Sequence, residues 1–136
     1  MRTPVLALIG AAALAGITGS DAAAQDFSAG ERSFREACAA CHGISGRGNG
    51  ELAPYLTIAP TDLTTLAKDN GGAYPALEIY RIVDGREVVN AHGARAMPVW
   101  GARFSTEATY GPYTGETAVQ ARILELVYYL ESLQRD

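Results

Sequence analysis

The sequence predicts a small all-α domain with long loops. Three observations carry this: a sustained helical period in the last twenty residues, an earlier amphipathic stretch running up to Cys38, and glycine- and proline-rich segments between them. No segment alternates polar and apolar residues over a strand's length, and no internal repeat or second core is visible, so a sheet-based architecture is not expected.

The first two dozen residues stand apart. Arg2 precedes an almost wholly apolar or glycine run from Val5 to Ile17, and Ala22-Ala23-Ala24 offers the small residues that a signal peptidase needs. Residues 1–24 therefore read as a secretory signal peptide, leaving residues 25–136 as one domain that begins at Gln25 and works in the periplasm. The alternative is retention as an anchor, but Gly10, Gly16 and Thr18-Gly19-Ser20 break the run before it reaches the ~20 apolar residues of a bilayer span. No membrane span is expected once the segment is removed. Cleavage takes away Arg2 and Asp21 together, so the net charge stays at −4. Lys68 is the only lysine and the arginines are scattered, which excludes a basic nucleic-acid surface.

Within residues 25–136, Ser28 followed by Glu31 reads as a capping box and predicts a first helix from Ala29 to about Ala40. The run Gly43-Ile44-Ser45-Gly46-Arg47-Gly48-Asn49-Gly50 is too rich in glycine to remain helical and reads as a tight loop. Thr61 and Asp62 would cap a short helix through Leu63, Leu66 and Ala67, stopped by Asn70-Gly71-Gly72. Pro75 suits the first turn of another helix, through Ile79, Ile82 and Val83 to Gly85. Residues 86–115 lack a period and read as loop. From Glu116 on, Val119, Ile123, Leu126, Val127, Leu130 and Leu133 fall on one face of a long terminal helix.

The chemistry concentrates in Cys38-Ala39-Ala40-Cys41-His42, which holds both cysteines of the chain. This spacing is the attachment pattern of a c-type haem. Two thiols on one helical turn can each add to a haem vinyl group, and the histidine that follows is delivered to the iron as its proximal ligand. Its other ring nitrogen needs an acceptor, for which the carbonyl of Pro54 or one in the glycine loop is the candidate. Three competing readings fare worse. A structural disulfide is compatible with export; a thiol-exchange pair would need a βαβ context; a closed zinc site would need four ligands, and only His92 remains as a further histidine.

For the sixth iron position, residues 25–136 offer Met97, His92 and Lys68. Met97 is the choice, because it sits in the loop Met97-Pro98-Val99-Trp100-Gly101, where proline stiffens the backbone, and its thioether is a soft ligand that raises the reduction potential. His92 reads as a solvent-facing loop residue. The cofactor-binding set is thus Cys38, Cys41, His42 and Met97, with His42 and Met97 on the metal, and the cofactor is one covalent haem c with its iron.

These residues resemble the class I c-type cytochromes, monohaem and of bacterial type, over nearly the whole of residues 25–136. Gly30 and Phe34 stand before Cys38 as that family's first-helix glycine and aromatic do, and Leu126, Tyr129 and Leu130 are similar to the contacts of its last helix. The resemblance implies a small cytochrome c fold in which the first and last helices cross and short middle helices and loops surround one haem. Trp100 and the segment from Arg81 to Arg103 depart from the mitochondrial type. Trp100 packs either near the haem edge or over a core end, and Arg81, Arg86, Arg95 and Arg103 are either propionate partners or solvated charges.

With both axial positions filled by protein, no coordination site is left for a substrate. The expected function is therefore that of a periplasmic single-electron carrier, not an enzyme, which meets its redox partners, donor and acceptor, through small transient interfaces. A second reading is the cytochrome subunit of a periplasmic dehydrogenase or oxidase complex. A third is a haem-based sensor in which a small gas takes the sixth position.

Overall fold

The computed structural model describes residues 26–86, 97–107 and 109–135. The segment read as a signal peptide, His92 and Arg95 lie outside the described residues. Among those described, the order is α1 (Ser28–Ala37), α2 (Ala39–His42), a 3-10 turn (Ala53–Tyr55), α3 (Leu66–Asp69), α4 (Ala76–Asp84), α5 (Trp100–Phe104), a hairpin of β1 (Thr109–Tyr110) and β2 (Tyr113–Thr114), and α6 (Gly115–Ser132). The all-α expectation holds, with short middle helices and long loops between two principal ones.

The core forms where α1 meets α6. Phe34 on α1 and Val119, Ile123, Leu126, Val127 and Leu130 on α6 are all buried, joined by Ile79 and Val83 of α4, Phe104 of α5 and Cys38. The apolar period read from the sequence is thus the buried face of α6. Phe34 and Tyr129 face each other with ring centroids 5.5 Å apart, and α1 reaches this closeness at Gly30.

The start of α1 differs from the expected capping box. Ser28 is already the first helical residue, and its own N–H donates to Asp26 Oδ1 at 2.9 Å instead. Glu31 is drawn away to Arg35, one turn on, at 2.6 Å. The helix also ends earlier than expected. At Cys38 φ widens to −115° with ψ −34°, a break between α1 and α2, which restarts at Ala39. The reading of residues 86–115 as loop is corrected by α5 and the hairpin, elements too short to show a period and held by tertiary contacts.

The glycine loop doubles back beneath α2. The Gly48 N–H donates to the His42 carbonyl at 2.7 Å, that of Gly50 to Cys41 at 3.0 Å, and that of Leu52 to Ala40 at 2.9 Å, which satisfies the carbonyls a helix end leaves open. The Leu63 N–H then donates to the Gly46 carbonyl at 2.7 Å and pulls residues 60–63 in beside the loop. The chain end locks this region. Gln134 accepts from the Ala67 N–H at 2.9 Å and donates to the Leu63 carbonyl at 2.8 Å. Helix α4 ends as expected, with Gly85 closing it in the left-handed region, while Pro75 stands just before it as the N-cap and not in its first turn.

Candidate haem site

Cys38 lies at the junction of α1 and α2, 6% exposed and part of the hydrophobic core, while Cys41 is half-buried one turn later; the two form no disulfide. Burial pushes the Cys38 thiol up to about 12, the neighbouring Cys41 thiol adds to this, and the Arg122 guanidinium opposes it. The site is therefore set into the core on one side and open on the other.

His42 ends α2. Its Nδ1 stands 3.0 Å from the carbonyl oxygen of Thr61. A carbonyl only accepts, so Nδ1 carries the proton and Nε2 keeps the lone pair that a metal can take. The expected acceptor at Pro54 is replaced by Thr61 because the Gly46–Leu63 hydrogen bond draws residues 60–63 under the imidazole, whereas Pro54 is held in its own 3-10 turn.

Beyond α2 the chain presents a row of apolar side chains to solvent. Leu52, Tyr55, Leu56 and Ile58 are all exposed, Tyr55 by 84% and Ile58 by 63%. The 3-10 turn carrying Tyr55 touches α2. An imidazole with its lone pair fixed, two thiols a turn apart and an apolar rim suit a large flat apolar group bearing a metal, and the residues present fit a covalent haem.

Met97 is half-buried and packs against the same hydrophobic cluster that contains Cys38. It precedes α5, on which Trp100 leans against Phe104 with centroids 5.7 Å apart. Trp100 packs on the core cluster and lies under the Arg103 guanidinium at 5.2 Å. Lys68 is exposed on α3. Of the arginines considered for propionates, Arg86 is committed elsewhere: its fork meets both Glu116 oxygens at 2.7 Å, and its Nε meets Asp84 at 2.5 Å.

Sequence reasoning missed Arg122. It counted among scattered cations, yet it is 7% exposed and bonded to Ser33, Glu36 and Glu107. The signal was present: Arg122 falls on the apolar face of α6, beside Val119, Ile123 and Leu126. An arginine there must either disrupt the core or find partners inside it.

A family model described as Cytochrome C oxidase, cbb3-type, subunit III matches residues 25–110, more than half of the chain. No curated protein and no solved structure matches. The matched span runs from just before α1 through the cysteine pair, the glycine loop and the Met97 segment to β1. Members of this family bind haem c covalently with its iron and transfer electrons. With the two-cysteine and histidine pattern at the α1–α2 junction and the small all-α fold around it, the chain belongs to the c-type cytochromes.

Proposed function

We propose that this protein is an exported single-electron carrier in which Cys38 and Cys41 bear the two thioether links to haem c, His42 is the proximal iron ligand and Met97 the distal one. The observation that carries the reading is the His42–Thr61 hydrogen bond, which commits Nδ1 to the backbone and leaves Nε2 as the ligating atom. Haem supplies a one-electron iron couple. The chain's own residues hold the group, keep both axial positions in protein hands and set its potential, which a thioether ligand raises. Cys38, buried in the core, fixes one edge of the group to the α1–α6 junction. Docking of redox partners falls to the open side, where the apolar rim and Cys41 lie.

Export is supported by the Arg2, Val5 to Ile17 and Ala22-Ala23-Ala24 pattern. Among the described residues no helix is long and apolar enough to cross a membrane. Sequencing the N-terminus of the protein recovered from the periplasm should return Gln25.

The test of the central reading is the visible spectrum of the protein made with haem-attachment machinery. Haem is expected to stay with the polypeptide after denaturation. The ferric protein is expected to show the weak far-red sulfur-to-iron band, which Met97→Ala abolishes. Covalent haem without that band would defeat the Met97 assignment and favour a sensor that takes up carbon monoxide readily; absence of attached haem would defeat the whole reading.

A second reading, the cytochrome subunit of a terminal oxidase, is favoured by the family model's own description. Purification from the native membrane distinguishes the two. A carrier leaves in the soluble fraction, whereas a subunit stays with the rest of the oxidase through detergent extraction.

A further inference from the structure

Arg122 joins three parts of the fold. Its Nε meets Ser33 Oγ at 3.3 Å and its Nη2 meets Glu36 at 3.1 Å, both on α1, while Nη1 bonds the Glu107 carboxylate just beyond α5. The guanidinium also lies over two rings, 4.2 Å from the Phe104 centroid and 5.7 Å from that of Tyr110. Burying an arginine among carboxylates does not by itself stabilise a fold over an apolar replacement. What the arrangement supplies is position.

The element it positions is α5. This helix has five residues and no side-chain cap, and a helix that short does not hold its place unaided. It is gripped on two sides. On one, Phe104, 4% exposed, lies under Arg122 and passes the contact to Trp100. On the other, Gly101 presses so closely on the end of α4 that an added Cβ would strike the Asp84 carboxylate and stand 2.7 Å from Arg86 Nε. Trp100 is separated from Met97 by only Pro98 and Val99, and proline limits how far the two can move independently.

We propose that Arg122 is a positioning residue for the distal iron ligand: by holding Phe104, and through it Trp100 and α5, it sets where the Met97 thioether stands. The proposal rests on Met97 being that ligand. Arginine is needed because its flat fork can stack on a ring and bond three partners at once, which a lysine ammonium cannot reproduce.

The test is competition by imidazole for the sixth position of the ferric haem protein, followed at the far-red band, beside urea unfolding followed by far-ultraviolet circular dichroism. Arg122→Lys and Phe104→Leu are expected to bind imidazole about tenfold more tightly than the wild type, a factor equivalent to about 1.4 kcal/mol. Phe34→Leu, a core change at the α1–α6 contact away from α5, is the control: it should lower the urea midpoint and leave imidazole affinity within twofold. If Arg122→Lys and Phe104→Leu also stay within twofold, the positioning role is overturned. It is equally overturned if Phe34→Leu gains as much affinity as they do, since the effect would then track stability alone. A wild-type ferric protein lacking the far-red band would instead overturn the Met97 reading, and the positioning role with it.

Discussion

Gly30 on α1 lies directly against Tyr129 on α6: a Cβ at residue 30 would stand 2.7 Å from the Tyr129 Cβ and run into the Glu125 carbonyl oxygen. Neither neighbour can give way cheaply, since one is helix backbone and the other the root of a side chain packed against Phe34. Gly30→Ala should therefore destabilise the haem protein by about 1–3 kcal/mol, the usual cost of overpacking, despite the better helix propensity of alanine. Urea unfolding measures it. A variant as stable as the wild type would mean that α1 and α6 can separate at this point without loss.

A second close approach, at Gly48, bears on the haem site. Its φ is +76°, and an added Cβ would press on Pro60, 3.2 Å from the carbonyl carbon, immediately before the Thr61 carbonyl that receives His42 Nδ1. Gly48→Ala should cost about 1–3 kcal/mol in backbone strain and also speed exchange of the His42 Nδ1 proton, read by NMR of the ferrous protein. Gly71→Ala separates the two effects, because Gly71 has φ +69° with nothing within 4 Å of an added Cβ. It should show the strain and leave the His42 proton unmoved. Equal exchange in both variants would dissociate Gly48 from the histidine.

How far the sequence disclosed this molecule depends on the kind of signal each part leaves. Helix α6 was legible because Val119, Ile123, Leu126, Val127 and Leu130 bury one face at helical spacing, and Cys38, Cys41 and His42 stand out as the candidate site because their residue types and spacing are chemically committed. The partner of His42 was not legible, since a backbone carbonyl such as that of Thr61 has no residue signature. Helix α5 and the hairpin escaped because elements of five and two residues are shorter than any period, and contacts from Arg122, Asp84 and Arg86 decide their place. Arg122 was obscured by reading charges as surface rather than by the face on which they fall. The start of α1 departed from the expected capping box because Ser28 sits one residue inside the helix, with Phe27 at the N-cap and Asp26 accepting the Ser28 N–H, a shift of one residue that propensity does not resolve.

Asp62 gives the acid side of stability a defined origin. Its carboxylate accepts the Thr64 hydroxyl at 2.6 Å and the Thr64 N–H at 2.8 Å, and these, with smaller help from Arg135 and Arg47, hold its pKa below the ordinary 3.8. A carboxyl depressed on folding contributes stability that is present above the unfolded value and is lost as pH falls through the folded one. Asp62→Asn should thus melt below the wild type at pH 6, and the difference should begin to close once the pH drops under 3.8 and be gone below the lower, folded value. Thermal melts across that range decide it. A gap that persists unchanged into acid would assign the effect to hydrogen-bond shape and not to charge.

Tyr74 gives the alkaline side. Its hydroxyl donates to the Val127 carbonyl of α6 at 2.8 Å, and burial, aided by the nearby Glu131 carboxylate, raises the phenol above its ordinary 10. A phenol raised on folding favours the protonated form in the native state, so its contribution is whole below pH 10 and fades as the pH climbs through the folded value. Tyr74→Phe should cost about 0.5–1.5 kcal/mol near neutrality through the lost hydrogen bond. Above pH 10 the wild type should weaken relative to the variant, because the unfolded phenol ionises while the folded one resists, and the gap should narrow. Guanidinium unfolding at pH 7 and again above pH 10 reads both, the remaining tyrosines being common to the two proteins. A gap that does not narrow would mean that this phenol ionises as easily against α6 as in the unfolded chain.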